Sequence, residues 1–531
     1  MEVYLRLDNG HFIIGINMSR LENSTKNFVL TLGNNILSSL LGLVSRTVFI
    51  YILGSTYLGL AGLLGNVLGF LTISELGIAT AIGFSLYKPL AEKDYKSVSA
   101  LMSVYRKAYV IIGNIVLISG IVLFFSLDFF IAPSQQPKGT TFAYFAFLFN
   151  TVIGYFLSYK TTLISSDNQA FRLVPINIVM NVIQTVAQII VLVLFKNYTL
   201  YLSVQIVCSV VIMLLQNRYI TKNYKEVDFY SKVQLKPEQK SSLKRNVGGL
   251  IIAKIGDYLV NSTDNLIITK LVTLTATGIY SNYLLIRNMV NGYISTLFAS
   301  VTAGIGNVVA VESDERKEEV FNIMMFCAYF IYCFEAVCFL CLFNPFIGDI
   351  WLGKNFTFNT FTVLIIVINN YLTGLRMPLI TMKGAAGTYM EDAWIPFAFA
   401  ILNLVASIIL VKWMGVAGVF LGTIVGSLLT ADWYRPIVIY RKVFHTSVMK
   451  YYKRYIIYIA LGLLNMGIAY VGCELVKIKF VFVGFIVKII ISVLVPLIMN
   501  TALFYRTKEF IAIKEMGNRI LTKIKSKLSL N

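Results

Sequence analysis

The stretch LVPINIVMNVIQTVAQIIVLVLF, residues 173–195, carries no charged side chain over 23 consecutive positions. A helix rises about 1.5 Å per residue, so a helix of this length crosses the ~30 Å hydrocarbon core of a bilayer. The apolar residues do not alternate with polar ones, as the strands of a membrane barrel require. An open sheet is excluded because its edge backbone groups would find no hydrogen-bond partners in lipid. The stretch therefore predicts a transmembrane helix.

Similar apolar blocks recur along the chain, separated by short polar and basic stretches. Of the 531 residues, 57% are hydrophobic and 14% are charged, whereas soluble domains carry about 25% charged residues. We predict fourteen spans, and this even number places both termini on the same side of the membrane. The spans are 28–53, 57–87, 105–132, 141–164, 173–195, 199–220, 247–270, 277–311, 320–343, 357–383, 392–413, 416–440, 455–475 and 479–505.

The distribution of Lys and Arg predicts which side that is. Only seven of the 46 Lys and Arg residues fall in the loops opposite the N-terminus, and this asymmetry indicates that both termini are cytoplasmic. The net charge of +20 then reflects membrane topology and attraction to anionic lipid rather than nucleic-acid binding. The seven are Lys138, Lys196, Lys270, Lys354, Lys412, Lys477 and Lys479.

The two halves of the chain resemble each other weakly. Gly59 and Gly278 lie 219 residues apart in similar contexts, and Pro175 and Pro396 open the fifth and eleventh spans. A parallel repeat of six plus six spans predicts two lobes, as in alternating-access transporters. We expect a cytoplasmic N-terminal segment 1–24, an N-lobe 25–220, a basic cytoplasmic linker 221–246, a C-lobe 247–440, two further helices 441–505 and a basic cytoplasmic tail 506–531. No cleavable signal sequence is expected, because the apolar run 12–16 is too short for one.

Several motifs, taken together in their order, resemble one known family over residues 24–505. They are Ser45-Arg46-Thr47, Tyr57-Leu58-Gly59-Leu60, Ile73-Ser74-Glu75-Leu76-Gly77-Ile78, Thr263-Asp264-Asn265-Leu266, Gly278-Ile279-Tyr280-Ser281-Asn282-Tyr283, Arg376-Met377-Pro378 and Gly415-Val416-Ala417-Gly418. The chain is thereby similar to the polysaccharide flippases of the Wzx type, within the multidrug/oligosaccharidyl-lipid/polysaccharide exporter superfamily.

The resemblance implies an all-α, MATE-like integral membrane fold of about fourteen helices, with two six-helix lobes and two added C-terminal helices. It also implies movement of a lipid-linked oligosaccharide, usually carried on undecaprenyl pyrophosphate, to the outer leaflet of a bacterial cell membrane. The product would be capsule, exopolysaccharide or O-antigen. The implied partners are membrane lipid and this substrate, with the polymerase and glycosyltransferases of the same pathway as further candidates.

Ten charged residues lie at least six residues from either end of a predicted span. Near the bilayer centre each such charge costs at least about 2.5–3.5 kcal/mol. Such residues need water, a partner or a ligand. Arg46, Lys254 and Arg287 are our candidates for a cationic cavity, because a pyrophosphate requires cations and Arg matches its oxygens in pairs. Arg287 lies ten residues from the end of its predicted span, roughly 15 Å deep. Structural ion pairing of these cations is the alternative.

The remaining charges are candidates for gating or ion coupling. Lys254, Asp257, Asn261 and Asp264 share one helical face through the spacing i, i+3, i+7, i+10, which predicts a polar stripe facing a cavity. The complete set of candidates is Asp257, Asp264, Glu335, Glu75, Arg376 and Asp432. Sodium and protons both remain open as the coupling ion, and structural pairing of these charges is again the alternative. No other cofactor is expected.

Enzymatic chemistry finds little support in the sequence. No P-loop motif is present, the six cysteines lie within or at the edges of apolar blocks, and there are only two histidines, so neither ATP hydrolysis nor a metal centre is predicted. The predicted outer loops are short, which argues against a membrane polymerase or ligase. A lipid II flippase and an ion-coupled drug antiporter of the same fold remain as alternatives to the polysaccharide flippase.

Overall fold

The computed structural model describes residues 4–8, 11–15, 18–72, 78–231, 233, 263–388, 391–392, 394–515, 518 and 522. The chain divides into two compact units, Met1–Tyr258 and Leu259–Asn531, which we call unit 1 and unit 2. Unit 2 thus includes the two C-terminal helices. The finer division into lobes, linker, added helices and tail stays a prediction.

Unit 1 begins with an antiparallel hairpin, in which Tyr4 pairs with Gly15. Among the described residues the rest of this unit is helical. Its elements are β1 (Tyr4–Asp8), β2 (His11–Gly15), α1 (Met18–Leu53), α2 (Ser55–Leu71), α3 (Ile78–Ala91), α4 (Tyr95–Phe124), α5 (Leu127–Phe130), α6 (Thr140–Ser158), α7 (Thr161–Ser166), α8 (Val174–Phe195) and α9 (Tyr198–Asn223).

Unit 2 is helical throughout its described part, and two helices continue into π-helical turns, Pro345–Trp351 and Tyr440–Phe444. Its helices are α10 (263–271), α11 (Leu274–Val311), α12 (Asp314–Asn344), α13 (Thr360–Leu375), α14 (Met377–Ala386), α15 (Ile395–Met414), α16 (Val416–Leu429), α17 (Ala431–Ile439), α18 (Met449–Glu474) and α19 (Val481–Phe504).

The predicted all-α membrane architecture is confirmed. Within the described residues, 11 helices are long and apolar enough to cross a membrane. The other three predicted spans are 57–87, which the structure divides into α2 and α3; 247–270, of which only the end from residue 263 is described; and 277–311, which lies within the long helix α11.

Several predicted spans are in fact interrupted helices. The span 357–383 breaks between α13 and α14 at Arg376, just before Pro378, whose missing N–H and bulky ring end the preceding helix. The span 416–440 breaks at Thr430, which has φ −127° and ψ −84°. The span 141–164 breaks between Ser158 and Thr161. Hydropathy averages over a whole block, so it does not reveal where a helix inside that block stops.

The core of unit 2 forms around α12, which packs against α13, α18 and α19. In the most apolar stretch of the span that contains α12, 67% of the residues are buried. In the corresponding stretch of α19, 11% are buried. A second close pair is α15 with α16, whose glycines at i, i+4 and i+8 remove the side chains between the two backbones. A Cβ added to Gly418 would lie 2.3 Å from the Leu410 carbonyl oxygen, and one added to Gly422 2.3 Å from Ser407 Oγ. Small residues at such positions let membrane helices approach closely.

Candidate functional site

An oxygen-rich cluster lies where α10, α15 and α16 meet in unit 2. The Thr423 hydroxyl is 3.2 Å from Asp264 Oδ1, 3.0 Å from Asn403 Oδ1 and 3.2 Å from the Val419 carbonyl oxygen. The Ser407 hydroxyl is 3.0 Å from the same Asn403 oxygen and 2.9 Å from the same Val419 carbonyl. Asn403 and Ser407 are one turn apart on α15, and the glycines of α16 bring its backbone against them.

Oxygen atoms of several residues converge on Asp264. The Thr423 and Ser407 hydroxyls link the Asp264 carboxylate, the Asn403 amide oxygen and the Val419 carbonyl through five contacts. Asn403 is fully buried, and its side chain also interacts with the Asp264 carboxylate. Carboxylate, amide, hydroxyl and carbonyl oxygens are ligands of hard cations, so the cluster is suited to hold a cation or a proton at Asp264.

Arg287, on α11, is half-buried close to two acidic residues. Its guanidinium interacts electrostatically with the carboxylates of Asp264 and Glu335. Neither carboxylate forms an ion pair with it within 4.0 Å, and its buried Nε has no hydrogen-bond partner among the described residues. Arg287 is therefore a cation in the membrane region with one buried donor, Nε, unpaired among the described residues.

Glu335 lies at the end of a buried amide chain that joins three helices. Asn291 of α11 donates its side-chain N–H to Asn370 Oδ1 of α13 at 2.9 Å, and Asn370 donates to Glu335 Oε2 of α12 at 3.1 Å. Glu335 is 4% exposed, and its Oε1 has no hydrogen-bond partner among the described residues. One carboxylate oxygen is thus fixed in place while the other lies buried without a donor.

Arg376 and Asp432 form a closed pair elsewhere in unit 2. Arg376 Nη1 lies 3.1 Å from Asp432 Oδ2, and both side chains are almost fully buried. Asp432 also accepts from Ser427 and, at 3.2 Å, from the Tyr455 hydroxyl of α18. Arg376 donates a further hydrogen bond to Thr373 Oγ1 at 2.8 Å. Because these groups satisfy one another, the geometry favours the structural alternative for this pair over gating.

Arg46 belongs to unit 1, on α1, and is half-buried beside an aromatic cluster. It interacts electrostatically with Tyr201 of α9, whose ring is stacked on Tyr198 at 6.3 Å and lies 5.1 Å from Phe49. Lys254, Asp257 and Glu75 lie outside the described residues. The structure thus brings Arg287, Asp264 and Glu335 together in unit 2, and the wider cationic cavity stays a prediction.

The uncharged members of these sites escaped the sequence analysis. Asn403, Ser407 and Thr423 around Asp264, and Asn291 and Asn370 beside Glu335, are neutral residues in apolar spans. The signal that points to them is the i, i+4 spacing of Asn403 and Ser407 opposite a glycine stripe, since polar side chains in apolar helices seek a shared interior face.

Comparison with known proteins identifies the architecture. No family model and no curated protein matches the sequence. Among solved structures, the lipid II flippase MurJ in its inward closed conformation matches with a TM-score of 0.62 at 14% identity, covering 90% of this chain and 99% of that chain. An inward-facing multidrug resistance MATE family transporter of the MOP superfamily matches with a TM-score of 0.61 at 13% identity, covering 76% of this chain and 95% of that chain. The fold is MATE-like. The MATE multidrug transporter DinF-BH agrees, with a TM-score of 0.57, 14% identity and coverage of 82% and 98%.

The MATE-like fold confirms the architecture expected from the motifs. At identities of 13–14% the likeness is one of fold, and it extends over nearly the full length of each of these transporters. The site residues of this MATE-like chain therefore have to be interpreted from their own geometry.

Proposed function

We propose that this chain is a flippase of the bacterial cell membrane, with both termini in the cytoplasm. It moves oligosaccharides linked to undecaprenyl pyrophosphate from the inner to the outer leaflet by alternating access, for capsule, exopolysaccharide or O-antigen synthesis. It performs no bond chemistry itself. The observation that carries the proposal is Arg287, a half-buried cation inside a MATE-like bundle, whose buried Nε has no hydrogen-bond partner in the part of the chain that the structure describes.

The physical argument is the cost of such a cation in the membrane. An arginine inside a span costs several kcal/mol unless water, a partner or a ligand compensates it. A pyrophosphate offers pairs of oxygens that match the guanidinium fork, with charge-assisted hydrogen bonds about twice as strong as neutral ones. The likeness to a structure described as a lipid II flippase supports a lipid-linked substrate. Arg46 and Lys254 are the further cations that we propose for binding.

Translocation in proteoliposomes tests this assignment. The substrate is undecaprenyl pyrophosphate bearing a fluorescent sugar, and Arg287→Gln is expected to slow its translocation at least about tenfold at equal reconstitution. Arg287→Lys keeps the charge but loses the paired N–H donors of the guanidinium, so an intermediate rate is expected. Arg316→Gln serves as the matched control, because Arg316 is half exposed at the start of α12, where it pairs with Glu319. A well-folded Arg287→Gln protein that transports at the wild-type rate would contradict the proposal.

We further infer that a cation gradient drives the cycle through Asp264. The oxygens that converge around Asp264, Asn403 and Thr423 support binding of a sodium ion or a proton at this carboxylate. Asp264→Asn keeps the shape but removes the charge, so gradient-driven transport should be lost while substrate still binds. A sodium gradient at equal pH and a pH gradient without sodium, applied to the wild-type protein, identify the ion. Unchanged acceleration of Asp264→Asn by either gradient would exclude this role.

An ion-coupled drug antiporter is the second candidate. Two carboxylates, Asp264 and Glu335, lie close to Arg287, and acids suit cationic drugs. The fold is also that of multidrug transporters. Uptake of a lipophilic cationic dye by proteoliposomes, measured beside the lipid-linked sugar, separates the two functions. The same assay with lipid II in place of the sugar probe tests the related lipid II flippase.

A further inference from the structure

A cleft of about 380 Å³ opens in unit 1 among α4, α6 and α7. Eight of its ten lining residues carry a hydroxyl group, and none of the ten is charged. Three are tyrosines, Tyr105, Tyr109 and Tyr155, and the other hydroxyls come from serines and threonines such as Thr151, Ser158 and Thr162. So many hydroxyls in one cleft are unusual in a bundle whose helices are otherwise apolar.

The tyrosine side of the cleft is rigid. Tyr105, Tyr109 and Tyr155 are each 5% exposed or less, so packing holds their rings in place. The rings of Tyr105 and Tyr109 meet edge-to-face at 4.3 Å, and those of Tyr109 and Tyr155 at 5.4 Å. The Tyr105 hydroxyl lies 3.1 Å from Thr162 Oγ1, which links α4 to α7 across the cleft. A surface fixed in this way loses little conformational entropy when a ligand binds.

Interrupted helices form a second, independent observation. Helix α6 ends at Ser158 and α7 begins at Thr161, and both of these residues line the cleft. Helix α2 ends at Leu71, directly before the lining residue Thr72. In transporters, interrupted helices mark binding sites.

Among the described residues, those that line this cleft are uncharged, and basic residues collect next to it. Lys160, in the turn between α6 and α7, donates to Thr221 Oγ1 at 2.7 Å. Together with Arg218, Lys222 and Lys225 it lines a separate, open cleft. Neighbouring residues in the sequence thus divide between a basic surface and a neutral one. The basic surface suits an anionic group, whereas the hydroxyl-lined cleft suits a ligand that is polar but uncharged.

We propose that the hydroxyl-lined cleft binds a neutral sugar ring of the transported oligosaccharide. Sugar hydroxyls both donate and accept hydrogen bonds, as Ser, Thr and Tyr hydroxyls do, so each can adapt to the other. The packed tyrosine rings hold this wall of the cleft in a fixed position. The volume lies within the range of small-ligand sites, about 300–1,000 Å³. This inference takes its substrate class from the proposed flippase function.

Two lipid probes that share a head group but differ in sugar test the cleft. They are undecaprenyl pyrophosphate and undecaprenyl pyrophosphate bearing one N-acetylglucosamine, and their affinities for the protein in nanodiscs are compared. We expect the wild-type protein to prefer the sugar-bearing probe. Thr151→Val and Tyr105→Phe each remove one hydroxyl at nearly constant shape, and each should reduce that preference about three- to tenfold. Affinity for the sugar-free probe should not change.

Matched variants make the result specific. Thr151 donates to the Phe147 carbonyl at 2.9 Å, and Thr381 of unit 2 makes the same type of bond to the Met377 carbonyl at 2.9 Å. Thr381→Val should therefore keep the wild-type preference, and Thr151→Ser, which retains a hydroxyl, should keep most of it. Equal wild-type affinity for the two probes, or loss of affinity for both in Thr151→Val, overturns the sugar site alone. Failure of the wild-type protein to bind either probe overturns the proposed function as well.

Discussion

Two buried glutamates on α12 have opposite surroundings. Glu318 accepts hydrogen bonds from Lys450 at 3.1 Å and from Thr446 at 3.3 Å. Glu335 accepts one hydrogen bond, from Asn370, and its second oxygen lacks a donor within the part of the chain that the structure describes. A buried carboxylate is stabilised only if its oxygens are paired, so Glu318 contributes to folding whereas Glu335 opposes it. A residue kept against stability is a candidate for function.

Replacement of each glutamate by glutamine should shift stability in opposite directions. Glu335→Gln removes an underpaired charge, so we expect the free energy of unfolding to rise by about 1 kcal/mol while transport falls. Glu318→Gln removes the ion-pair partner of Lys450 and should lower the free energy of unfolding by about 1–3 kcal/mol. Thermal unfolding in detergent, measured with translocation rates, checks both. Destabilisation of similar size in the two variants would contradict this difference.

The buried pair of Arg376 and Asp432 gives a second prediction for single residues. Arg376→Met leaves the Asp432 carboxylate buried without its cation, which should cost about 3–5 kcal/mol of unfolding free energy. Arg316→Met is the control, because its pair with Glu319 is about half exposed and should change stability by less than about 1 kcal/mol. Thermal unfolding measures both variants. If Arg376→Met were as stable as Arg316→Met but transported nothing, the pair would act in gating after all.

At the scale of elements, the contact of α15 with α16 holds the Asp264 cluster together. A Cβ on Gly422 would meet the Ser407 backbone nitrogen at 2.5 Å, and one on Gly426 would meet the Asn403 backbone nitrogen at 2.9 Å. Backbone atoms cannot rotate aside as side chains do. The distance between these two helices, and with it the spacing of Asn403 and Thr423, therefore depends on glycine.

We expect Gly422→Ala to separate the two helices and to lower stability by about 1–3 kcal/mol. Ion dependence of transport should weaken in the same variant, because the oxygens around Asp264 move apart. Gly467→Ala on α18 is the matched control, since nothing lies within 4 Å of the added Cβ and alanine favours helix. Its stability should be unchanged or higher by up to about 1 kcal/mol. Equal effects of the two substitutions would show that close helix approach is not what the glycine provides.

At the scale of the whole molecule, membrane orientation is the property to measure. Lys196 and Lys222 are both exposed and lie near opposite ends of α9. With cytoplasmic termini, Lys196→Cys should react with an impermeant maleimide in intact cells, and Lys222→Cys should react only after the membrane is opened. The wild-type protein provides the background, because its six cysteines are buried or half-buried. The reverse labelling pattern would invert the topology.

Much of the architecture follows from the sequence because its signals are local and additive. An uncharged run such as 173–195 spans a bilayer whatever its neighbours do, and an excess of Lys and Arg in the loops of one side orients the whole set of helices. Interior charges such as Arg287 and Glu335 were found because their cost depends on the surrounding lipid, not on a particular partner. The MATE-like fold was expected from the order of the motifs, and the comparison with solved structures confirmed it.

Only the tertiary structure decided which of those charges are satisfied. Arg376 and Asp432 lie 56 residues apart, and Thr423 and Asp264 lie 159 apart, so no local pattern pairs them. Spans that read as continuous proved to be broken at Thr430 and at Arg376, since backbone geometry leaves no trace in hydropathy. The neutral oxygens of Asn403 and Thr423 became visible only when close helix packing placed them against Asp264. Burial and hydrogen bonding depend on contacts between distant segments, and those contacts exist only once the chain has folded.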